Sequence, residues 1–197
     1  MNLDEGEGVR IDPRAVVEEG SEIGQGSSIW HFAHVRGGSV IGKDCVIGKD
    51  VYIDTGVILG DGCKVQNGVS IYNGVKLEDS VFVGPHAVFT NDLRPRARLW
   101  SDERLVETFV ERGASIGANA TIRCGITLGK WCMVAAGSVV TKDIPPHALV
   151  VGVPGRVRGW VTESGELLEI GVDDGFAGGE FVCEATGEVV QLGNAID

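Results

Sequence analysis

From Ile11 to Phe89 an apolar residue returns every six positions: Ile11, Val17, Ile23, Ile29, Val35, Ile41, Ile47, Ile53, Leu59, Val65, Ile71, Leu77, Val83 and Phe89. Four residues after most of these stands a small or β-branched residue, among them Ser21, Ala33, Cys45, Val57, Cys63, Val75 and Ala87. Gly24, Gly42, Gly48, Gly60 and Gly84 directly follow their aliphatic residue. Internal repetition at so short a period is the signature of a β-helix. Each hexapeptide supplies one short strand and one corner, and three of them close an 18-residue coil with the aliphatic and small positions turned inward. Coils stacked at about 4.8 Å pair their backbone groups with the coils above and below. A two-residue alternation would also fit an antiparallel sheet, but unbroken sixfold spacing does not. The predicted fold is all-β, a parallel β-helix of hexapeptide repeats.

The repeat stops at Phe89 and returns at Val110, followed by Ile116, Ile122, Leu128, Val134 and Val140. Residues 90–109 therefore form one long inserted loop, which holds Asn91, Asp92, Arg94, Pro95, Arg96, Arg98, Trp100 and Arg104. Loops of this length in compact folds commonly carry function. The face on which Val110 resumes is hidden by the insertion. The repeat domain spans residues 9–160, and 161–197 form a small acidic C-terminal appendage with hairpin-like alternation around Thr186 and Gly187.

The chain has 197 residues, of which 43% are hydrophobic, enough for one continuous core. No run of eighteen apolar residues occurs, and Met1 to Arg10 is acidic rather than signal-like, so a soluble cytoplasmic protein without a membrane partner is expected. A net charge of −11 argues against nucleic acid as a partner. The charge is uneven. Five arginines fall between Arg94 and Arg112, whereas nine acids and no base lie between Gly159 and Asp197. A local basic patch suits a small phosphorylated ligand, although a solvated loop has the same composition. Cys45, Cys63 and Cys132 occupy inward small positions, Cys124 a corner and Cys183 the appendage. Five cysteines without a CxxC pair indicate reduced thiols, not disulfides or a zinc site.

Several motifs follow one another in a recognisable order: Ile29-Trp30-His31-Phe32-Ala33-His34-Val35, Val65-Gln66-Asn67-Gly68-Val69-Ser70-Ile71-Tyr72, Gly84-Pro85, and Val88-Phe89-Thr90-Asn91. Arg94-Pro95-Arg96, Gly113-Ala114-Ser115-Ile116-Gly117-Ala118-Asn119 and Val150-Val151-Gly152-Val153-Pro154-Gly155-Arg156 complete the set. In these the chain resembles the left-handed β-helix acyltransferases. Within them it is similar to bacterial N-acetyltransferases of nucleotide-linked 3-amino sugars, of the type acting on UDP-2-acetamido-3-amino-2,3-dideoxyglucuronate in glycan biosynthesis. The resemblance implies a left-handed helix, a homotrimer, a site in the cleft between prisms, acetyl-CoA along the later coils and a UDP- or dTDP-linked amino sugar beside it. Inward positions that are all small or aliphatic leave no internal cavity, so the chemistry must lie outside the prism.

In such a reaction a neutral sugar amine attacks the acetyl thioester through a tetrahedral oxyanion, which needs hydrogen-bond donors and no metal. Asn91, at the mouth of the insertion, is the first catalytic candidate. It can orient the amine or donate a hydrogen bond but cannot act as a base, and it could instead form a corner ladder with Asn73. His31 and His86 are the candidate bases, although the resemblance does not lead one to expect histidine at 86; without either, the thiolate leaving group takes the proton. Backbone around Ala135, Ala136 and Gly137 is expected to hold pantetheine, with Lys142, Arg156 and Arg158 near phosphates. Arg36, Gln66, Asn67, Tyr72 and Arg94 are expected to contact the nucleotide sugar. The 18-residue coil places His31, Lys49, Asn67 and Pro85 in one column and puts His86 one residue away. Two other readings are a metalloenzyme resembling the γ-class carbonic anhydrases, which His31, His34, His86 and His147 support poorly by their spacing, and an acyltransferase on a non-sugar amine or hydroxyl.

Overall fold

The computed structural model describes residues 8–99, 101–170 and 178–192. The acidic start of the chain, Trp100 and parts of the expected appendage (171–177 and 193–197) lie outside these residues. Strands of two or three residues recur at six-residue spacing and pair in parallel with the strand 18 residues away, as in Arg10↔Ser28, His34↔Tyr52 and Val40↔Ile58. Among the described residues they build three faces of ten, seven and six strands, plus a two-stranded hairpin. The first face begins with Arg10–Ile11, the second with Val16–Val17 and the third with Glu22–Ile23. This is the expected β-helix.

The inward residues stack into one column-like core in which Ile47, Ile53, Leu59, Ile71, Ile116, Ile122 and Leu128 are fully buried. Polar residues in inward positions are satisfied by corner backbone. Ser27 donates to the Gly42 carbonyl at 2.8 Å and accepts from the Cys45 N–H at 2.9 Å. Thr108 is the exception: it is fully buried in register with Val75, and its hydroxyl has no partner among the described residues. Because an unpaired buried hydroxyl costs about 1–3 kcal/mol and valine has the same shape, Thr108→Val is expected to stabilise the protein by about that amount. Urea denaturation of the two proteins checks this; a destabilised variant would show the hydroxyl to be solvated.

Leu77 pairs with Val110, and Phe89 with Ile122. Each separation is 33 residues, so 33 − 18 = 15 residues are added at the corner between the second and third faces, and Val110 resumes on the third face. The strand Thr108–Val110 takes the last two residues of the expected 90–109 loop. At the loop's base the Val106 N–H donates to the Asn91 carbonyl at 3.0 Å. Leu105 lies over Gly74, where a Cβ would approach it to 2.7 Å. Cys124, expected at a corner, is indeed there but fully buried, and its N–H donates to the Thr90 hydroxyl at 2.9 Å.

At the C-terminal end, Arg156–Val161 runs antiparallel to Ala148–Val151 and to Leu167–Leu168. This strand crosses the 160/161 boundary drawn from the sequence, since buried Trp160 and Val161 close the end of the core. Gly179–Val182 and Val189–Leu192 form the expected hairpin, packed through Cys183, Val190 and Leu192. The Ser164 hydroxyl ties it down by donating to Glu188 Oε2 at 2.6 Å. No described helix is long and apolar enough to cross a membrane.

Candidate active site

Parallel stacking turns the 18-residue period into columns of side chains, and two corners collect the candidate residues. At the corner between the first and second faces, a ladder of backbone bonds runs coil to coil. Asp50 N–H donates to His31 O, Gly68 N–H to Lys49 O, His86 N–H to Asn67 O, Asn119 N–H to Pro85 O, and Gly137 N–H to Ala118 O, at 2.8 to 3.3 Å. His31, Gln66, Asn67, His86, Ala135, Ala136 and Gly137 thus share one edge. With coils about 4.8 Å apart, His86 stands two coils, or about 10 Å, from Gly137.

His86 adopts the left-handed conformation (φ 59°) and lies over Gly68, where a Cβ would come within 2.4 Å of its Nδ1. A side chain at 68 would displace the imidazole from this position and would strain a backbone whose φ is 68°. Farther along the edge, the Gly152–Gly155 turn folds over the small residues: Ala135 N–H donates to Val150 O at 2.8 Å, Gly152 N–H to Ser138 Oγ at 3.0 Å and Gly155 N–H to Val139 O at 2.7 Å. Arg156 and Arg158 leave this turn exposed, on the strand that pairs with Ala148–Val151. Ala136 and Gly137 are exposed, and the space around a Cβ at Gly137 is open.

The corner between the second and third faces holds Arg36, Tyr72, Asn91 and Lys142, with Arg94 in the loop above. The Asn91 side chain makes no hydrogen bond among the described residues, to Asn73 or to any other group, so the amide is available to a ligand. Beside it, Asp92 accepts from Arg104 Nε at 2.9 Å and from the Arg94 N–H at 2.7 Å, and Arg104 also donates to the Arg94 carbonyl. This clamp gives the loop a defined shape around a recess of about 410 Å³ lined by Arg94, Arg96 and Leu99. The Arg104 guanidinium, then the Arg94 N–H, hold the Asp92 carboxyl below its ordinary range.

Arg36 is less available than the sequence indicates. Its guanidinium donates to Glu18 Oε2 at 3.0 Å and to the Tyr52 hydroxyl at 3.3 Å, while His34 Nε2 meets Glu18 Oε1 at 2.8 Å. The Gly37 N–H, His34 and Arg36 together lower the Glu18 carboxyl from 4.5 to about 2. A depressed carboxylate contributes stability that is complete above its unfolded value near 4.5 and is lost as pH falls toward about 2. Thermal melts of Glu18→Gln are therefore expected to be less stable than wild type at neutral pH and to converge on it as pH falls through that window. Parallel curves would contradict the network.

On the first edge, Trp30, His31, Gly48, Lys49, Gln66 and Asn67 line a groove of about 270 Å³. Trp30 and Lys49 were not among the expected site residues, although the 18-residue spacing to Gln66 and Asn67 already aligned them. Nothing in the sequence signalled the Asp92–Arg104 clamp, because the insertion has no period. The histidines do not converge within the chain: His31 and His86 are on the edge, His34 binds Glu18 and His147 Nδ1 meets the Val161 carbonyl at 3.0 Å. Among the described residues no three His, Cys, Asp or Glu side chains gather in a way that could hold a metal ion.

Residues 39–73 and 108–142 match the model of the hexapeptide repeat of succinyl-transferase, on both sides of the insertion. The chain is a hexapeptide-repeat β-helix protein. One relative of this repeat protein is the dTDP-3-amino-3,6-dideoxy-alpha-D-galactopyranose 3-N-acetyltransferase of Aneurinibacillus thermoaerophilus, 43% identical over 82 residues, covering 42% of this chain and 40% of that enzyme. Among solved structures, the acetyltransferase domain of PglB from Neisseria gonorrhoeae FA1090 in complex with acetyl coenzyme A is 26% identical, with a TM-score of 0.51 over 77% of this chain and 58% of that one. A hexapeptide transferase family protein from Anaplasma phagocytophilum shares the fold, with a TM-score of 0.55 at 17% identity over 79% and 81% of the two chains. The hexapeptide-repeat chain thus spans less than two thirds of the length of the first two.

Proposed function

We propose that this protein is an acetyl-CoA-dependent N-acetyltransferase that acylates the 3-amino group of a UDP- or dTDP-linked amino sugar. The observation that carries the reading is the common edge on which His86 and Asn67 stand two to three coils from Ala135 and the exposed Ala136 and Gly137. A relative that acts on a dTDP-linked 3-amino sugar and a structural neighbour bound to acetyl coenzyme A support it.

Pantetheine lies against Ala135, Ala136 and Gly137, with Arg156 and Arg158 facing the phosphates of coenzyme A. The neutral sugar amine forms the C–N bond at the thioester carbonyl, and the carbonyl oxygen becomes an oxyanion that the Asn91 amide meets with a hydrogen bond. Collapse breaks the C–S bond and releases the thiolate. His86 accepts the ammonium proton and returns it to sulfur, so no proton is gained or lost overall. His31, on the earlier coils, faces the nucleotide.

Asn91 and Lys142 stand on the opposite corner from His86 and Ala136. A homotrimer unites them, since each cleft then sets the first-to-second-face corner of one copy against the second-to-third-face corner of its neighbour. The flat faces of the prism suit such packing. Thiol release from acetyl-CoA with a panel of UDP- and dTDP-linked 3-amino and 4-amino sugars tests the reading. Turnover with a 3-amino sugar is expected; silence across the panel while acetyl-CoA still binds overturns the sugar assignment.

A further inference from the structure

The groove on the first edge has a chemistry more specific than a generic contact surface. One wall is the Trp30 indole, which is 48% exposed at an edge where a core role would bury it. Gly48 is the floor, where a Cβ would lie 2.8 Å from both the Asn67 backbone nitrogen and Oδ1, so the cleft between Trp30 and the next coil stays open only with glycine there. The opposite side is formed by two amides. Asn67 Oδ1 accepts the Lys49 N–H at 3.0 Å, which fixes the orientation of that amide and leaves its two N–H groups to donate. The Gln66 amide has no hydrogen-bond partner among the described residues, and it offers one donor and one acceptor side.

A volume of about 270 Å³ falls below the roughly 300–1,000 Å³ of sites that enclose a drug-sized ligand, so the groove takes one part of a larger molecule. An exposed indole is a stacking surface for a flat ring. With the Gln66 oxygen turned toward Asn67, the two amides present donor, acceptor, donor. The complementary edge is acceptor, donor, acceptor, which is the imide edge of uracil or thymine. Guanine presents one acceptor and two donors and so needs two protein acceptors where only the Gln66 oxygen is free, whereas cytosine is met only when the Gln66 amide turns over.

We infer that this groove is the base-recognition subsite, in which Trp30 stacks on a uracil or thymine ring while Gln66 and Asn67 read its imide edge. The inference rests on the reading of the substrate as a nucleotide-linked sugar, and it names the residues that choose the nucleotide. His31 and Lys49, beside the amides, line the way out of the groove toward ribose and diphosphate.

Isothermal titration of the full-length protein with UDP, dTDP, CDP and GDP, without acetyl-CoA, tests it. UDP and dTDP are expected to bind at least about tenfold more tightly than GDP, the scale of one well-placed paired contact, with CDP in between. Gln66→Ala is expected to erase that preference. Trp30→Ala is expected to weaken UDP and dTDP about tenfold, and Trp30→Phe to keep most of the affinity because the stacking surface survives. Equal binding of all four nucleotides, a preference for GDP, or a Trp30→Ala variant that binds UDP as wild type overturns the subsite. Acetyl transfer without base selectivity would sink this inference and leave the acetyltransferase reading standing; base selectivity in a protein that transfers no acetyl group would uphold the subsite and sink that reading.

Discussion

Asn91→Ala is expected to lower kcat for acetyl transfer about 100- to 1,000-fold, the usual cost of deleting one oxyanion donor. The size of the effect follows from the place of the side chain. Its amide holds nothing in the fold, whereas the structural bond at this position, from the Val106 N–H, goes to the backbone carbonyl and survives the substitution. Stability is therefore expected to change little, and the KM for either substrate only a few fold, because a donor that meets charge only in the transition state acts on kcat. Steady-state kinetics beside a thermal melt separate these quantities. A kcat within threefold of wild type would remove Asn91 from the chemistry.

The second large effect is expected at Ala136. This residue is exposed on the same column as His31 and Asn67, and its backbone N–H edge is what a Cβ at Gly117 would strike at 2.5 Å. The backbone there is tightly stacked, but outward space is open. Ala136→Trp therefore leaves the coil intact and fills the path assigned to pantetheine. A misplacement of the thioester by even 1 Å costs about 100-fold, so a loss of at least that size in kcat/KM for acetyl-CoA is expected. The affinity for UDP or dTDP, measured separately, should not move, since Trp30 and Gln66 lie three or more coils away. Unchanged acetyl-CoA kinetics would put the cofactor elsewhere.

The fold was legible because a six-residue coil segment imposes one steric demand on every repeat: a large inward residue, a corner, a small inward residue. Ile11 to Phe89 meet it without interruption. Val110 was not legible in register, because 110 − 89 = 21 is not a multiple of six; only the pairing of Leu77 with Val110 reveals a 15-residue insertion. The columns at the first edge could be read by adding 18, which is how His86 was placed beside Asn67, and the His86 N–H bond to the Asn67 carbonyl bears this out. Contacts that depend on side-chain reach did not follow from period. Arg36 sits where counting puts it, yet its guanidinium is engaged by Glu18 and Tyr52. The Asp92–Arg104 clamp spans twelve residues of aperiodic chain, and no spacing rule pairs them. Trp160, near the end of the repeats in sequence, is the residue that closes the core and carries the strand across the expected domain boundary.

The central claim is that the reaction takes place where one corner of one copy meets a different corner of its neighbour. Co-expression of the Asn91→Ala and Ala136→Trp chains, each expected to be at least about 100-fold impaired alone, tests it most directly. In the proposed trimer, assembled from randomly mixed chains, a cleft that takes its small-residue edge from the Asn91→Ala chain and its Asn91 from the Ala136→Trp chain is intact, and such clefts make up about one quarter of the total. Recovery of acetyl transfer to about that fraction of wild type is the predicted result. Mixed oligomers that stay as inactive as the separate variants would place both residues in a site within one chain and contradict the account.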